Sequence, residues 1–324
     1  MFGSRAVRFW SACLVCMLLL PMVGCQRHRA VELYLDAVLY TELNEKERAV
    51  ETLNEAVAID NSFAFAYFLL GQLYEELGQY KESALCYEKT TQLRPTSFKA
   101  FFSLGRVYEL LKEFAKAVDA YAKACELKPG HLDAHIRTAR CYIELQDYDK
   151  ALSFGQKAEQ IDPNLTAVQE LMADIYESKE DYSGAIGAYK RAMEIDSSNL
   201  QTMTALAAAY LKNGQYEPAR GLLESVIESS PDNNRAYRYL GYCLLKLGDM
   251  NGGIDAYKRA VQLNGRDWEA HRGLGVAYML KAFGTEGQVL RSRAIEQWQI
   301  SLRINPRQPN ADVLQRLIEQ HAGK

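Results

Sequence analysis

The sequence predicts an all-α chain built as an array of helical hairpins. Three observations carry that prediction. A 34-residue spacing holds from Ala30 to Asp267, each spacing contains two stretches with apolar residues at helical period, and the clearest units close on a proline. The best-formed unit is Phe98–His131. Phe101, Leu104, Gly105 and Tyr108 fall on one face of its first stretch, and Ala117, Tyr121 and Ala124 on one face of its second. Lys112-Glu113-Phe114 makes the turn between them, and Pro129-Gly130 ends the unit because proline cannot continue a helix.

The same template fits the flanking segments in order. Ala30–Phe63 is a weak copy, with Ala37, Tyr40, Ala49, Leu53 and Ala56, and Asp60-Asn61 where others have proline. Ala64–Ser97 carries Tyr67, Leu70, Gly71, Tyr74, Tyr87 and Pro95. Leu132–Leu165 has Ala139, Tyr142, Ala151, Ala158 and Pro163, with His135 in the bulky first slot. Thr166–Asn199 offers Ala173, Tyr176, Ala185, Tyr189 and Ala192, and Leu200–Asn233 offers Leu206, Ala207, Tyr210, Ala219 and Pro231. Pro218 lies in the first turn of that unit's second helix, where proline is tolerated. Asn234–Asp267 has Tyr237, Leu240, Gly241, Tyr257 and Ala260.

An eighth unit, 268–308, begins with Leu274, Gly275 and Tyr278 and ends with Ala294, Trp298 and Pro306. It is longer between its halves, and the seven extra residues of the 279–293 interval are expected in the inter-helix turn around Phe283-Gly284-Thr285-Glu286-Gly287, where solenoid insertions emerge as loops. A last amphipathic stretch within 309–324, with Ala311, Leu314, Leu317 and Ile318 on one side, is expected to cap the array.

The pattern Phe101-x2-Leu104-Gly105-x2-Tyr108, Ala117-x3-Tyr121-x2-Ala124, Pro129 resembles the tetratricopeptide repeat. The resemblance covers residues 30–308. It implies a right-handed superhelix of about eight repeats, with small residues where the helices of a hairpin approach and tyrosines in the wider gaps.

The N-terminus is a separate object. Arg5 and Arg8 precede an apolar run, Phe9–Leu20, that is short for a membrane span, and Pro21-Met22-Val23-Gly24-Cys25 follows. This resembles a bacterial lipoprotein signal over 1–24, with Cys25 lipidated and 25–29 a tether. An uncleaved anchor over Phe9–Gly24, flanked by Arg8 and Arg27, is the alternative. Gln26 after the cysteine implies, in a host with two membranes, the periplasmic side of the outer one. A tether of four residues reaches about 14 Å, which would hold the first repeat close to the bilayer.

Composition bounds the function. The 324 residues are 48% hydrophobic and 24% charged, with 20 tyrosines and a net charge of −3. That is globular, and not the basic balance expected of a nucleic-acid binder. No Gly-rich phosphate loop, serine elbow or paired zinc cysteines appear, so no catalytic residue and no cofactor is assigned. His131-x3-His135 with Asp133 between has a spacing that can hold a metal, but His135 occupies a packing slot and no metal is assigned. Cys86, Cys125, Cys141 and Cys243 lie in predicted helices and are expected as buried thiols, with a Cys125–Cys141 disulfide left open.

In the resembled family the first helices line a concave groove that binds proteins or peptides. The matching positions here include Phe65, Phe68 and Gln72, then Lys99, Phe102 and Arg106, then Ile136 and Arg140. In the C-terminal half they include Arg235, Arg238, Tyr242 and Arg272, with Lys246 beside them. Phe65, Phe68 and Phe102 are expected as exposed apolar anchors. Arg235, Arg238, Arg272, Lys246 and Tyr242 are expected as a basic-aromatic patch for a carboxylate or an acidic peptide. The expected function is a non-enzymatic scaffold in an envelope assembly, such as pilus, export or outer-membrane machinery. The alternative is a binder of an anionic ligand or polysaccharide through the arginine patch.

Overall fold

A computed structural model describes residues 27–282 and 287–322, and residues 1–26, Cys25 among them, lie outside the described residues. Among the described residues there are 17 helices and no strand. None is long and apolar enough to cross a membrane. They fall into two compact units that divide between Ile161 and Asp162.

The first unit holds α1 (27–42), α2 (Lys46–Ile59), α3 (Ala64–Glu76), α4 (Tyr80–Leu93), α5 (Phe98–Leu110), α6 (Phe114–Leu127), α7 (Leu132–Glu144) and α8 (Tyr148–Ile161). Neighbouring helices in chain order pack on one another, so each first helix from α3 on meets both its own partner and the second helix of the hairpin before it. The second unit holds α9 (Thr166–Ser178), α10 (Tyr182–Ile195), α11 (Leu200–Lys212), α12 (Tyr216–Ser229), α13 (Asn234–Lys246), α14 (Met250–Leu263), α15 (Trp268–Lys281), α16 (Gly287–Ile304) and α17 (Ala311–Ala322). They pack in the same sequential way, and among the first helices α13 also touches α11 and α15.

The 34-residue period is written in the backbone. Positive φ falls at Asn44, Gly78, Lys112, Gln146, Glu180, Gly214 and Gly248, one residue per hairpin at the turn where the first helix stops. A left-handed residue there lets the chain reverse while the last carbonyls stay bonded, as Glu113 N to Tyr108 O at 2.8 Å shows. Helix starts repeat too: the side chains of Ser97, His131, Asn199, Asn233 and Asp267 each accept a backbone N–H of the first turn that follows.

Inside a hairpin the small residue and the tyrosine are one device. A Cβ on Gly105 would lie 2.6 Å from the Tyr121 ring, and one on Gly241 2.7 Å from that of Tyr257. The ring therefore occupies the space glycine leaves, and Tyr121 is fully buried. Removing one such ring from water contributes about 1.5–3 kcal/mol. Its hydroxyl donates to Glu109 at 2.7 Å, so the polar end is satisfied.

The eighth hairpin corrects one expectation. Its extra residues do not all emerge as a loop: α16 has 18 residues where α14 has 14. The added turn carries Leu290, which is buried with Met279, Ala282 and Trp298. Apolar burial thus takes part of the insertion into the helix, while the expected turn residues Phe283-Gly284-Thr285-Glu286 lie outside the described residues. Beyond it, α17 lays Leu314 and Ile318 on this cluster and turns Asp312, Gln315, Arg316 and Glu319 outward.

Candidate functional site

In the first unit the candidate groove positions are mostly occupied by the protein's own groups. Phe65 is exposed, with the Arg94 guanidinium 4.5 Å from its ring centre. Phe68 and Phe102, expected as exposed anchors, are half-buried. Phe68 leans on Tyr87, while Phe102 packs against Phe98, Tyr121 and His131 at centroid distances of 5.2–5.6 Å. Ile136 is buried at 7% exposure. Gln72, Lys99 and Arg140 are exposed. Arg106 donates to Glu75 at 2.9 Å, and one hairpin on Arg137 donates to Glu109 at 3.1 Å and to Asp133 at 3.1 Å.

The metal spacing is spent on structure. His131 Nδ1 accepts the Ala134 N–H as a helix cap, and His135 Nε2 donates to the Pro129 carbonyl at 2.8 Å. Among the described residues no group of three or more His, Cys, Asp or Glu could hold a metal ion. Cys86, Cys125, Cys141 and Cys243 are free and buried. Burial pushes the Cys86 and Cys141 thiols up to about 12 and that of Cys243 to about 11, which keeps them protonated and unreactive.

The second unit is different. Here α11, α13 and α15 leave an open groove of about 620 Å³. Tyr239, Tyr242, Leu245, Leu211, Val276 and Leu280 line it, with Tyr257 behind them. Lys212, Lys246, Arg238, Arg272 and Glu269 supply its charge.

The basic patch expected here changes composition. Arg238 donates to both carboxylate oxygens of Asp267, at 2.9 and 3.0 Å, and pairs with Glu269. Its side chain is only 17% exposed and that of Asp267 5%. Burial alone would lower the Arg238 pKa, but Asp267 and Glu269 outweigh it and raise it. The charge is thus neutralised in place and is no free anion receptor. Arg235 is exposed. Arg272 lies over the Trp268 ring at 5.0 Å and donates to the Pro309 carbonyl, and Lys246 sits 5.5 Å from the centre of the Tyr242 ring. Lys246 and Arg272 have no carboxylate partner among the described ion pairs, which leaves them as the groove's available cations. Lys212 is half-exposed and 3.5 Å from Glu177.

Tyr257, Tyr239, Glu269 and Gly273 are lining residues that position-by-position reading missed. Tyr257 stands in the slot filled by the core tyrosines Tyr87 and Tyr121, and nothing in the sequence marks it as facing a groove. The signal lay one unit on: a Cβ on Gly273 would lie 2.3 Å from the Tyr257 ring, so glycine there is what lets the tyrosine reach the groove wall.

With this geometry in place, the comparisons are direct. The family model described as Cilia and flagella-associated protein 70 C-terminal domain, a tetratricopeptide-repeat family, matches residues 34–274. The chain belongs to this tetratricopeptide-repeat family. No curated protein matches it in sequence. Among solved structures it is similar to a tetratricopeptide repeat protein from Parabacteroides merdae ATCC 43184, at 17% identity and a TM-score of 0.54 over 77% of this chain and 99% of that one. It is also similar to a chain of the APC/C hetero-tetramer Cut9–Hcn1, at 16% identity and a TM-score of 0.55 over 85% of this chain and 52% of that one. Both likenesses are of fold, the all-helical repeat solenoid.

Proposed function

We propose that this tetratricopeptide-repeat chain is a non-enzymatic scaffold that holds a segment of a partner protein in the groove of the second unit. The observation that carries the reading is the lining: three tyrosines and five aliphatic side chains in an open cleft, with Lys246 and Arg272 among its lining residues. Such a surface suits an apolar anchor residue flanked by carboxylates, since tyrosine-rich clefts supply contact area and the cations supply orientation. The reading of an anionic polymer held by an arginine cluster has less support, because Arg238 is already bound by Asp267 and Glu269.

We further propose that the chain is lipid-anchored through Cys25 and organises an envelope assembly, on the periplasmic side of the outer membrane if the host has two membranes. The support is the sequence pattern Arg5, Arg8, Phe9–Leu20 and Val23-Gly24-Cys25. Two measurements test the pair of claims separately. Wild type should partition with membranes at a mass raised by acyl groups, while Cys25→Ala should do neither; an unmodified, non-partitioning wild type would overturn the anchor. For the groove, a fluorescein-labelled peptide bearing Phe-Leu followed by two Glu should bind wild type and lose at least tenfold in affinity on Leu245→Asp. Equal binding by both chains, or by the same peptide with Lys for Glu, would overturn the groove assignment.

A further inference from the structure

The groove of the second unit is ordered in three levels. Residues 34 apart stand at the same height on neighbouring first helices, and residues four apart on one helix stand one turn, about 6 Å, apart. Ala208, Tyr242 and Val276 make the middle level on α11, α13 and α15. Tyr242 and Val276 are each 40% exposed, so this level is an open apolar band. One turn toward the helix C-termini stand Lys212, Lys246 and Leu280, and one turn toward the N-termini Arg238 and Arg272. An apolar band therefore runs between two bands of cations. The first unit repeats the positions without the chemistry. Its middle level is Gln72, Arg106 and Arg140, and the level above reads Glu76, Leu110 and Glu144.

Each cationic band has one member spent and one open. Lys212 stands 3.5 Å from Glu177, and Arg238 is held by Asp267 and Glu269. Lys246 lies over Tyr242, and Arg272 lies over Trp268 and donates to the Pro309 carbonyl, contacts that leave both charges unneutralised. The open pair sits on a diagonal. Lys246 is on α13 at the upper level and Arg272 on α15 at the lower, two turns or about 12 Å apart along the axes. With about 8–10 Å between packed helices, the diagonal is about 15 Å, and Tyr242 and Val276 lie along it.

Resting on the groove reading above, we infer that the partner segment is an extended internal stretch of the pattern acid-x-apolar-x-acid. Its two carboxylates meet Lys246 and Arg272, and its central side chain meets the Tyr242–Val276 band. An extended chain sends residues i, i+2 and i+4 to one face and advances about 3.3 Å per residue, so i and i+4 stand about 13 Å apart. The flexible lysine stem takes up the remainder. Acids two residues apart reach only about 7 Å, and acids six apart overshoot at about 20 Å. Adjacent acids point to opposite faces, so one of them leaves the groove. A helical segment with acids one turn apart spans about 6 Å and also falls short. Two carboxylates at the matching spacing complement both open cations, whereas a single acid leaves one of them unmatched.

The test is calorimetric titration of the full chain with three peptides of one composition, acetylated and amidated so that their termini carry no charge. Ser-Glu-Ser-Phe-Ser-Glu-Ser should bind at least tenfold tighter than Ser-Ser-Glu-Phe-Glu-Ser-Ser or Glu-Ser-Ser-Phe-Ser-Ser-Glu. Lys246→Glu should weaken the first peptide at least tenfold, and replacing only one of its two acids by Lys should restore binding. Arg272→Glu should be restored by replacing the other acid. This crossed rescue reads which carboxylate meets which cation, and it stands even where a variant is less stable. Equal affinity for the three spacings, or rescue of one variant by either replacement alike, overturns the inference. The groove reading then still stands on the Phe-Leu-Glu-Glu probe and its loss on Leu245→Asp. If neither that probe nor any of the three peptides binds, the groove reading falls and the inference falls with it.

Discussion

Two groove faces built on one repeat have opposite character. In the first unit, Glu75 and Glu109 take the hydroxyls of Tyr87 and Tyr121 and the guanidiniums of Arg106 and Arg137, while Phe98, Phe102 and His131 stack over what remains. In the second unit Tyr257 stands where Tyr121 does, yet Arg238 is drawn aside to Asp267 and Glu269, and an open cleft of about 620 Å³ is left. The difference lies in where the carboxylate sits. At Glu109 it is on the first helix beside the tyrosine and fills the face. At Asp267 it is in the turn before α15, where it also caps that helix through Ala270 N–H at 3.0 Å. One change of place separates a self-satisfied face from one free to take a ligand.

The largest expected effect tests that displaced arginine. Arg238→Ala leaves Asp267, 5% exposed, and Glu269 without their cation, and removing one partner of a buried pair costs about 3–5 kcal/mol. Arg106→Ala in the first unit, with a 42% exposed side chain, should cost about 1 kcal/mol or less. Urea unfolding of the two variants should separate them by at least 2 kcal/mol, and equal losses would remove the claimed asymmetry.

Next in size is ligand capture. Tyr242→Ala should weaken binding of the Phe-Leu-Glu-Glu probe by roughly 2 kcal/mol, or about thirtyfold, as truncation of a central aromatic does. Phe65→Ala, at the most exposed of the expected anchors, should change it less than twofold. Reversal of that ranking in a fluorescence titration would move the site to the first unit. A subtler lever is Gly273→Ala. Its methyl would meet the Tyr257 ring and must displace it, so probe affinity should fall while Gly221→Ala, which meets nothing within 4 Å, leaves it unchanged.

The fold was legible because its determinants are local and repeated. Leu104, Gly105, Tyr108, Ala117 and Tyr121 recur at fixed spacing, and each copy states the same packing rule. The groove was less legible because it depends on pairings between copies. Position alone puts Arg238 and Arg106 on the groove face, but which of them stays available depends on whether a carboxylate 29 or 31 residues away can reach it. Ile136 illustrates the same limit: its slot is a groove slot in register, and the surrounding side chains bury it. Leu290 shows a third case, where burial with Met279 and Trp298 takes into a helix part of an insertion that spacing counts but does not place.

The smallest effect concerns the turns, and it too divides the units. Of the left-handed turn residues of the 34-residue period, the first unit has Asn44, Gly78, Lys112 and Gln146, whereas the second has Glu180, Gly214 and Gly248. A side chain in that conformation costs about 1–2 kcal/mol, and glycine returns about 0.5–1 kcal/mol of that through its greater freedom when unfolded. The balance favours glycine by about 0.5–1 kcal/mol at each site. Lys112→Gly with Gln146→Gly should therefore raise the urea midpoint of the first unit, and Gly214→Lys should lower that of the second. The two glycine replacements together should gain about 1–2 kcal/mol, because the sites lie one hairpin apart and share no described contact. A loss of stability on Lys112→Gly would mean that its side chain contributes more than its backbone conformation costs, and the first unit's turns would then be built for contact where the second unit's are built for reversal.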